Sequence, residues 1–104
     1  MRQVMVRYRV KPERVAENEQ LVRAVYDELK AVDPDRFQYA TFRLDDGVTF
    51  VHLALTDTED GRAPLSDLEA FRRFQEDIEG RCQEGPVVTE LSEIGSFRLV
   101  RSGS

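Results

Sequence analysis

The 104 residues contain one cysteine (Cys82), one histidine (His52) and no tryptophan. A lone cysteine allows no internal disulfide and suits a reducing compartment, so a cytoplasmic protein is expected. One histidine and one cysteine also fall short of a typical structural zinc site. No stretch approaches the about 18 apolar residues of a membrane span, and Met1-Arg2-Gln3 lacks the apolar core of a signal peptide. Neither membrane insertion nor export is expected. Basic residues are outnumbered, 15 against 20 acidic, for a net charge of −5. That balance disfavours binding to a nucleic-acid backbone. Glycine-rich phosphate loops, nucleophile elbows and catalytic-triad patterns are missing too. What remains is the length and composition of one globular domain, expected over residues 1–100, with 101–104 as a C-terminal tail.

The four prolines (Pro12, Pro34, Pro64, Pro86) divide the chain, as residues without an N–H do at element boundaries. Val4, Val6, Tyr8 and Val10 alternate with Met5, Arg7 and Arg9, the period of a strand. Pro12 opens a helix whose apolar positions are Val15, Val22, Val25, Tyr26, Leu29 and Val32, and Asp33-Pro34 closes it. Two β-branched and aromatic runs, 37–44 and 48–56, flank Asp46-Gly47, the signature of a two-residue hairpin turn. After a polar loop over 57–63, a second helix is expected from Ser66, capped by a Ser66/Glu69 box. Leu65, Leu68, Phe71, Phe74, Ile78 and Cys82 form its apolar side. Glu69–Arg73 and Asp77–Arg81 read as acid-first pairs on its exposed side. The end reads as one long strand from Val87 to about Val100, bent at Gly95. The order strand, helix, strand, strand, helix, strand predicts an α+β ferredoxin-like βαββαβ fold. Its four-stranded antiparallel sheet carries both helices on one face.

Counting outward from Asp46-Gly47 sets the hairpin register: Asp45 opposite Val48, Arg43 opposite Phe50, Thr41 opposite His52, Tyr39 opposite Ala54 and Phe37 opposite Thr56. Paired residues share a face. One face therefore carries Phe37, Tyr39, Thr41, Arg43, Phe50, His52, Ala54 and Thr56. The other carries Ala40, Phe42, Leu44, Val51, Leu53 and Leu55, and is apolar. The first mixes rings with an imidazole, a hydroxyl and a guanidinium, as a ligand cavity does. His52 and Arg43 are the candidate catalytic residues. His52 has the only side chain that ordinarily titrates near neutrality, and Arg43 offers charge-assisted bonds to a carboxylate or phenolate oxygen. Tyr8, Tyr39, Thr41 and Phe50 are the candidate pocket residues. The same side chains also fit a structural role: a half-buried histidine bonded to Thr41, an arginine reaching solvent, and core tyrosines with satisfied hydroxyls. An apolar sheet face left bare by the helices predicts a second copy of the chain, packed sheet to sheet.

This element order resembles the antibiotic-biosynthesis-monooxygenase-like family of dimeric α+β-barrel proteins. So do the Val10-Lys11-Pro12-Glu13 exit into the first helix and the hairpin running from Gln38-Tyr39-Ala40-Thr41 to Phe50-Val51-His52-Leu53. The resemblance spans nearly the whole chain. It implies a homodimer joined through its sheets, a cavity between helices and sheet, and a small hydrophobic or aromatic ligand. It further implies oxygenation of quinol-type aromatics with no metal or flavin cofactor, because an electron-rich quinol itself donates electrons to oxygen. Family members without known activity keep a second reading open, a non-catalytic dimeric module that binds a small metabolite. Haem-degrading members use a first-strand asparagine, a tryptophan after the third strand and a histidine on the second helix. Val6 and Thr56 stand at the first two positions here, and the second helix has no histidine, so that activity is not expected.

Overall fold

The alternating run Arg2–Val10 forms strand β1, and its valines and Tyr8 all turn to one side. The computed structural model describes residues 2–57 and 64–98. After β1, Pro12–Arg14 makes a single 3-10 turn that leads into helix α1, Val15–Val32. Asp33 ends the helix in the left-handed conformation (φ 50°), its amide donating to Leu29 O at 2.7 Å. Strands β2 (Phe37–Arg43) and β3 (Thr49–Thr56) follow, then helices α2 (Glu69–Glu76) and α3 (Ile78–Arg81), and strand β4 (Cys82–Glu90). The sheet order is β2-β3-β1-β4 with every pairing antiparallel, and the helices lie on one face. This is the expected α+β ferredoxin-like arrangement.

The hairpin register is the one counted from the turn, from Phe37↔Thr56 to Arg43↔Phe50. The turn itself is wider than two residues. The last cross-strand bond runs from the Leu44 amide to Thr49 O, so Asp45 and Val48 do not pair. The Asp46 carboxylate accepts from the Val48 and Thr49 amides at 2.9 and 2.8 Å, which holds the loop open by one step on each side. Gly47 supplies the positive φ (78°) that this geometry requires.

The second helical region departs from expectation in three ways. Ser66 belongs to a 3-10 turn over Pro64–Asp67, and α2 starts at Glu69 with no side-chain cap from its own chain neighbours. The Glu28 carboxylate of α1 instead accepts the Ala70 and Glu69 amides, at 2.8 and 3.3 Å. Glu69–Arg73 is the expected exposed pair. Asp77–Arg81 is not: Asp77 breaks the helix and pairs with Arg14, and Arg81 turns into the core. Cys82 therefore opens a strand rather than closing a helix, and burial raises its thiol pKa. Strand β4 starts at Cys82 and stops at Glu90. Its pairing with β1 shifts register twice, between Val87 and Glu84, where Gly85 and Pro86 sit, and again between Glu84 and Cys82, while Gly95 lies beyond the strand. Most of the loop 57–63 and the tail 101–104 lie outside the described residues.

Tyr8, Val10 and Phe50 of the sheet pack against Val22, Val25 and Leu29 of α1 and against Leu65, Leu68 and Phe74. The His52 side of the hairpin thus faces the helices. The aliphatic side faces out, with Phe42 54% exposed. Residues 91–96 leave β4 and border that outer face, forming a groove of about 700 Å³ with Leu53 and Leu55.

Candidate functional site

Strand parity aims His52 of β3 and Tyr8 of β1 under the helices, and β2 delivers Tyr39 and Thr41 beside them. His52 is 4% exposed. Its Nε2 lies 2.7 Å from Tyr8 Oη, and its Nδ1 bonds to Tyr39 Oη, with Thr41 Oγ1 at 3.3 Å. Thr41 Oγ1 in turn meets Tyr26 Oη at 2.8 Å. On the other side, Asn18 Nδ2 donates to Tyr8 Oη at 3.0 Å and Arg81 Nε donates to Asn18 Oδ1 at 3.1 Å. Arg81 Nη2 also reaches Phe74 O at 2.6 Å. A continuous polar chain therefore crosses the core from α3 to the β2–α1 edge.

Aromatic rings wall this chain. Tyr8, Tyr39 and Phe74 surround the imidazole with ring centroids at 5.3 to 5.6 Å. Phe50 stacks on Tyr8, and Tyr39 lies between Tyr26 and Phe37. Removal from water disfavours the charged imidazolium, so burial lowers the His52 pKa from 6.5 to about 4. The same desolvation pushes the Tyr8 and Tyr39 hydroxyls well above the usual tyrosine range. His52 is a neutral imidazole at pH 7.

Of the six residues singled out in the sequence, Tyr8, Tyr39, Thr41 and His52 form one hydrogen-bonded group, and Phe50 packs against it. Arg43 stands apart. It pairs with Glu19 of α1 and its side chain is half exposed. A pocket of about 380 Å³ opens there between α1 and the hairpin, lined by Glu19, Val22, Tyr26, Thr41, Arg43 and Phe50 among others. The Tyr26–Thr41 hydroxyl pair thus joins the buried chain to the pocket. Sequence reasoning missed Asn18, Tyr26 and Arg81 as members of the site. A signal existed for Asn18: it fills the gap between Val15 and Val22 in the apolar stripe of α1, and it is fully buried. Arg81 carried no such signal, because its inward turn depends on the helix break at Asp77.

A four-stranded antiparallel sheet with helices on one face, and a histidine hydrogen-bonded between two tyrosines beneath them, defines a ferredoxin-like α+β fold. The fold is the one seen in antibiotic biosynthesis monooxygenases. A solved structure of one superposes with a TM-score of 0.75 at 18% identity, covering 91% of this chain and 100% of its own. A protein proposed to be such a monooxygenase, from Nitrosomonas europaea, gives a TM-score of 0.76 at 12% identity, with 91% and 100% covered. Another so proposed, from Caulobacter crescentus CB15, gives 0.73 at 19%, with 90% of each chain covered. No family model matches the sequence, and no curated protein does.

Proposed function

We propose that residues 1–100 form a single homodimeric α+β-barrel domain that works in the cytoplasm as a cofactor-independent monooxygenase on quinol-type aromatics. The observation that carries this reading is the buried, neutral His52, tied through Tyr39, Thr41 and Tyr26 to a pocket beside α1. His52 serves as the proton shuttle. Tyr39 and Arg43 stabilise the phenolate or peroxide anion, Arg43 by exchanging Glu19 for a ligand oxygen. In the overall reaction a phenol carrying a ring C–H consumes one dioxygen. One oxygen atom becomes the second carbonyl of the quinone. The other leaves as water with the phenolic proton and the ring hydrogen. The electrons come from the substrate, which is why no metal or flavin enters the scheme. The likeness of fold to antibiotic biosynthesis monooxygenases supports the assignment. The bare apolar outer face, with Ile94 98% exposed beside it, supports a second copy of the chain as the partner.

The test is oxygen consumption with a panel of hydroxylated aromatics, comparing the intact protein with His52→Ala and Arg43→Ala. The expected result is turnover that both substitutions reduce by about 10²-fold or more, the usual effect of losing a proton-transfer or anion-stabilising group. No turnover on any substrate, or two variants as active as the parent, rejects the assignment. One observation favours the second reading, a non-catalytic module holding a small metabolite. Among the described residues, no buried side-chain nitrogen or oxygen lacks a partner, so the relay is already closed without a ligand. A compound that binds tightly and is recovered unchanged, with no oxygen uptake, decides for that reading.

A further inference from the structure

Arg81 is 1% exposed, and among the described residues its hydrogen bonds go to neutral groups, the Asn18 side-chain oxygen and Phe74 O. Its guanidinium also lies over the Phe74 ring, 5.2 Å from the centroid. Glu17 is the carboxylate whose pKa responds to this charge, but both Nε and Nη2 of Arg14 already hold it. A buried cation satisfied by neutral acceptors is expensive, so its placement calls for an explanation.

Hydrogen-bond direction supplies one. A guanidinium only donates, so the atom of Asn18 that faces Arg81 must be the amide oxygen. The amide nitrogen then faces Tyr8 and, having no acceptor capacity, donates to Tyr8 Oη. The phenolic proton of Tyr8 is left with one acceptor among its described neighbours, His52 Nε2 at 2.7 Å. Nε2 must therefore be unprotonated, which puts the proton of the neutral imidazole on Nδ1, facing Tyr39 Oη. These links all point the same way, from Arg81 through Asn18, Tyr8 and His52 to Tyr39, whose neighbour Thr41 lines the pocket.

We propose that Arg81 is a positioning residue that sets this direction and holds His52 as its Nδ1–H tautomer. The resting relay thus presents donors to the pocket. It is loaded to donate first, so that as a shuttle His52 gives its Nδ1 proton toward an oxygen anion there before it takes up the phenolic proton. This catalytic consequence rests on the oxygenase reading. The tautomer itself does not.

His52 is the only histidine, so long-range proton–nitrogen correlation spectra of the ¹⁵N-histidine-labelled protein at pH 7 report on one imidazole. The free side chain prefers the Nε2–H form, which makes Nδ1–H the informative result. We expect a protonated Nδ1 and a pyridine-like Nε2, with Nδ1–H in about fivefold excess, the preference that one net hydrogen bond supplies. Asn18→Asp keeps the side-chain shape but puts an acceptor against Tyr8. The new carboxylate accepts a hydrogen bond from the Tyr8 hydroxyl, Tyr8 Oη accepts from Nε2–H, and the tautomer inverts. Arg81→Met frees the Asn18 amide to rotate, and the ratio falls toward that of the free side chain. A parent protein in the Nε2–H form overturns the proposal, and so does Asn18→Asp or Arg81→Met with the parent's tautomer. Should either variant fail to fold, the parent spectrum still decides. Absence of oxygen uptake leaves the tautomer result standing, whereas the wrong tautomer leaves the oxygenase reading standing.

Discussion

Lowering the pH from 7 to 5 should destabilise this protein through His52. The imidazole is enclosed by Tyr8, Tyr39 and Phe74, and its pKa falls to about 4 in the folded chain. In the unfolded chain it titrates near 6.5. Between those values the unfolded state binds more protons, so stability declines as the pH drops. The full contribution is present above about 6.5 and is gone below about 4. The gap is worth about 3 kcal/mol in total, of which about 2 kcal/mol disappears between pH 7 and pH 5. Other shifted acids act lower. Asp46, held by the Thr49 hydroxyl and the Val48 and Thr49 amides, titrates at about 2, and Arg14 keeps Glu17 below the usual glutamate range. Urea unfolding at fixed protein concentration should show a midpoint roughly 1–2 M lower at pH 5 than at pH 7, for a slope of about 1–3 kcal/mol/M. His52→Phe should remove most of that difference whatever its effect at pH 7. A midpoint that moves by less than about 0.3 M, or a difference that survives in His52→Phe, refutes the reasoning.

Tyr8→Phe removes the hydroxyl that joins Asn18 Nδ2 to His52 Nε2, leaving two buried polar atoms unpaired. The expected cost is about 2–4 kcal/mol, seen as a melting temperature at least about 8 °C lower, and a loss under about 0.5 kcal/mol contradicts the relay. For the apolar outer face, light scattering at micromolar concentration should return twice the 12.0 kDa chain mass, and Phe42→Lys should shift the protein toward monomer. A parent protein that scatters as a 12.0 kDa particle ends the homodimer proposal.

The sheet and half of the site were legible in the amino-acid order. Side chains alternate across a strand with period two, so Asp46-Gly47 and simple counting were enough to put Thr41 opposite His52 and Arg43 opposite Phe50. The fold followed from the switching of that period with the helical one. Parity could not say which face the helices would cover, because both faces carry apolar residues and only packing chooses between them. Turn width, the trans cap from Glu28 and the start of β4 were equally out of reach. Each depends on a carboxylate or a register shift that acts between elements distant in sequence, or on the competition between a side chain and a cross-strand bond. Arg81 is the clearest case. In a continuous helix it would sit on the solvent face beside Asp77. The break at Asp77 turns it inward to Asn18, 63 residues away, and with it sets the hydrogen-bond direction of the whole relay. Local periodicity determines which face a residue occupies, but the partner that gives a buried polar group its role is chosen only when the elements pack.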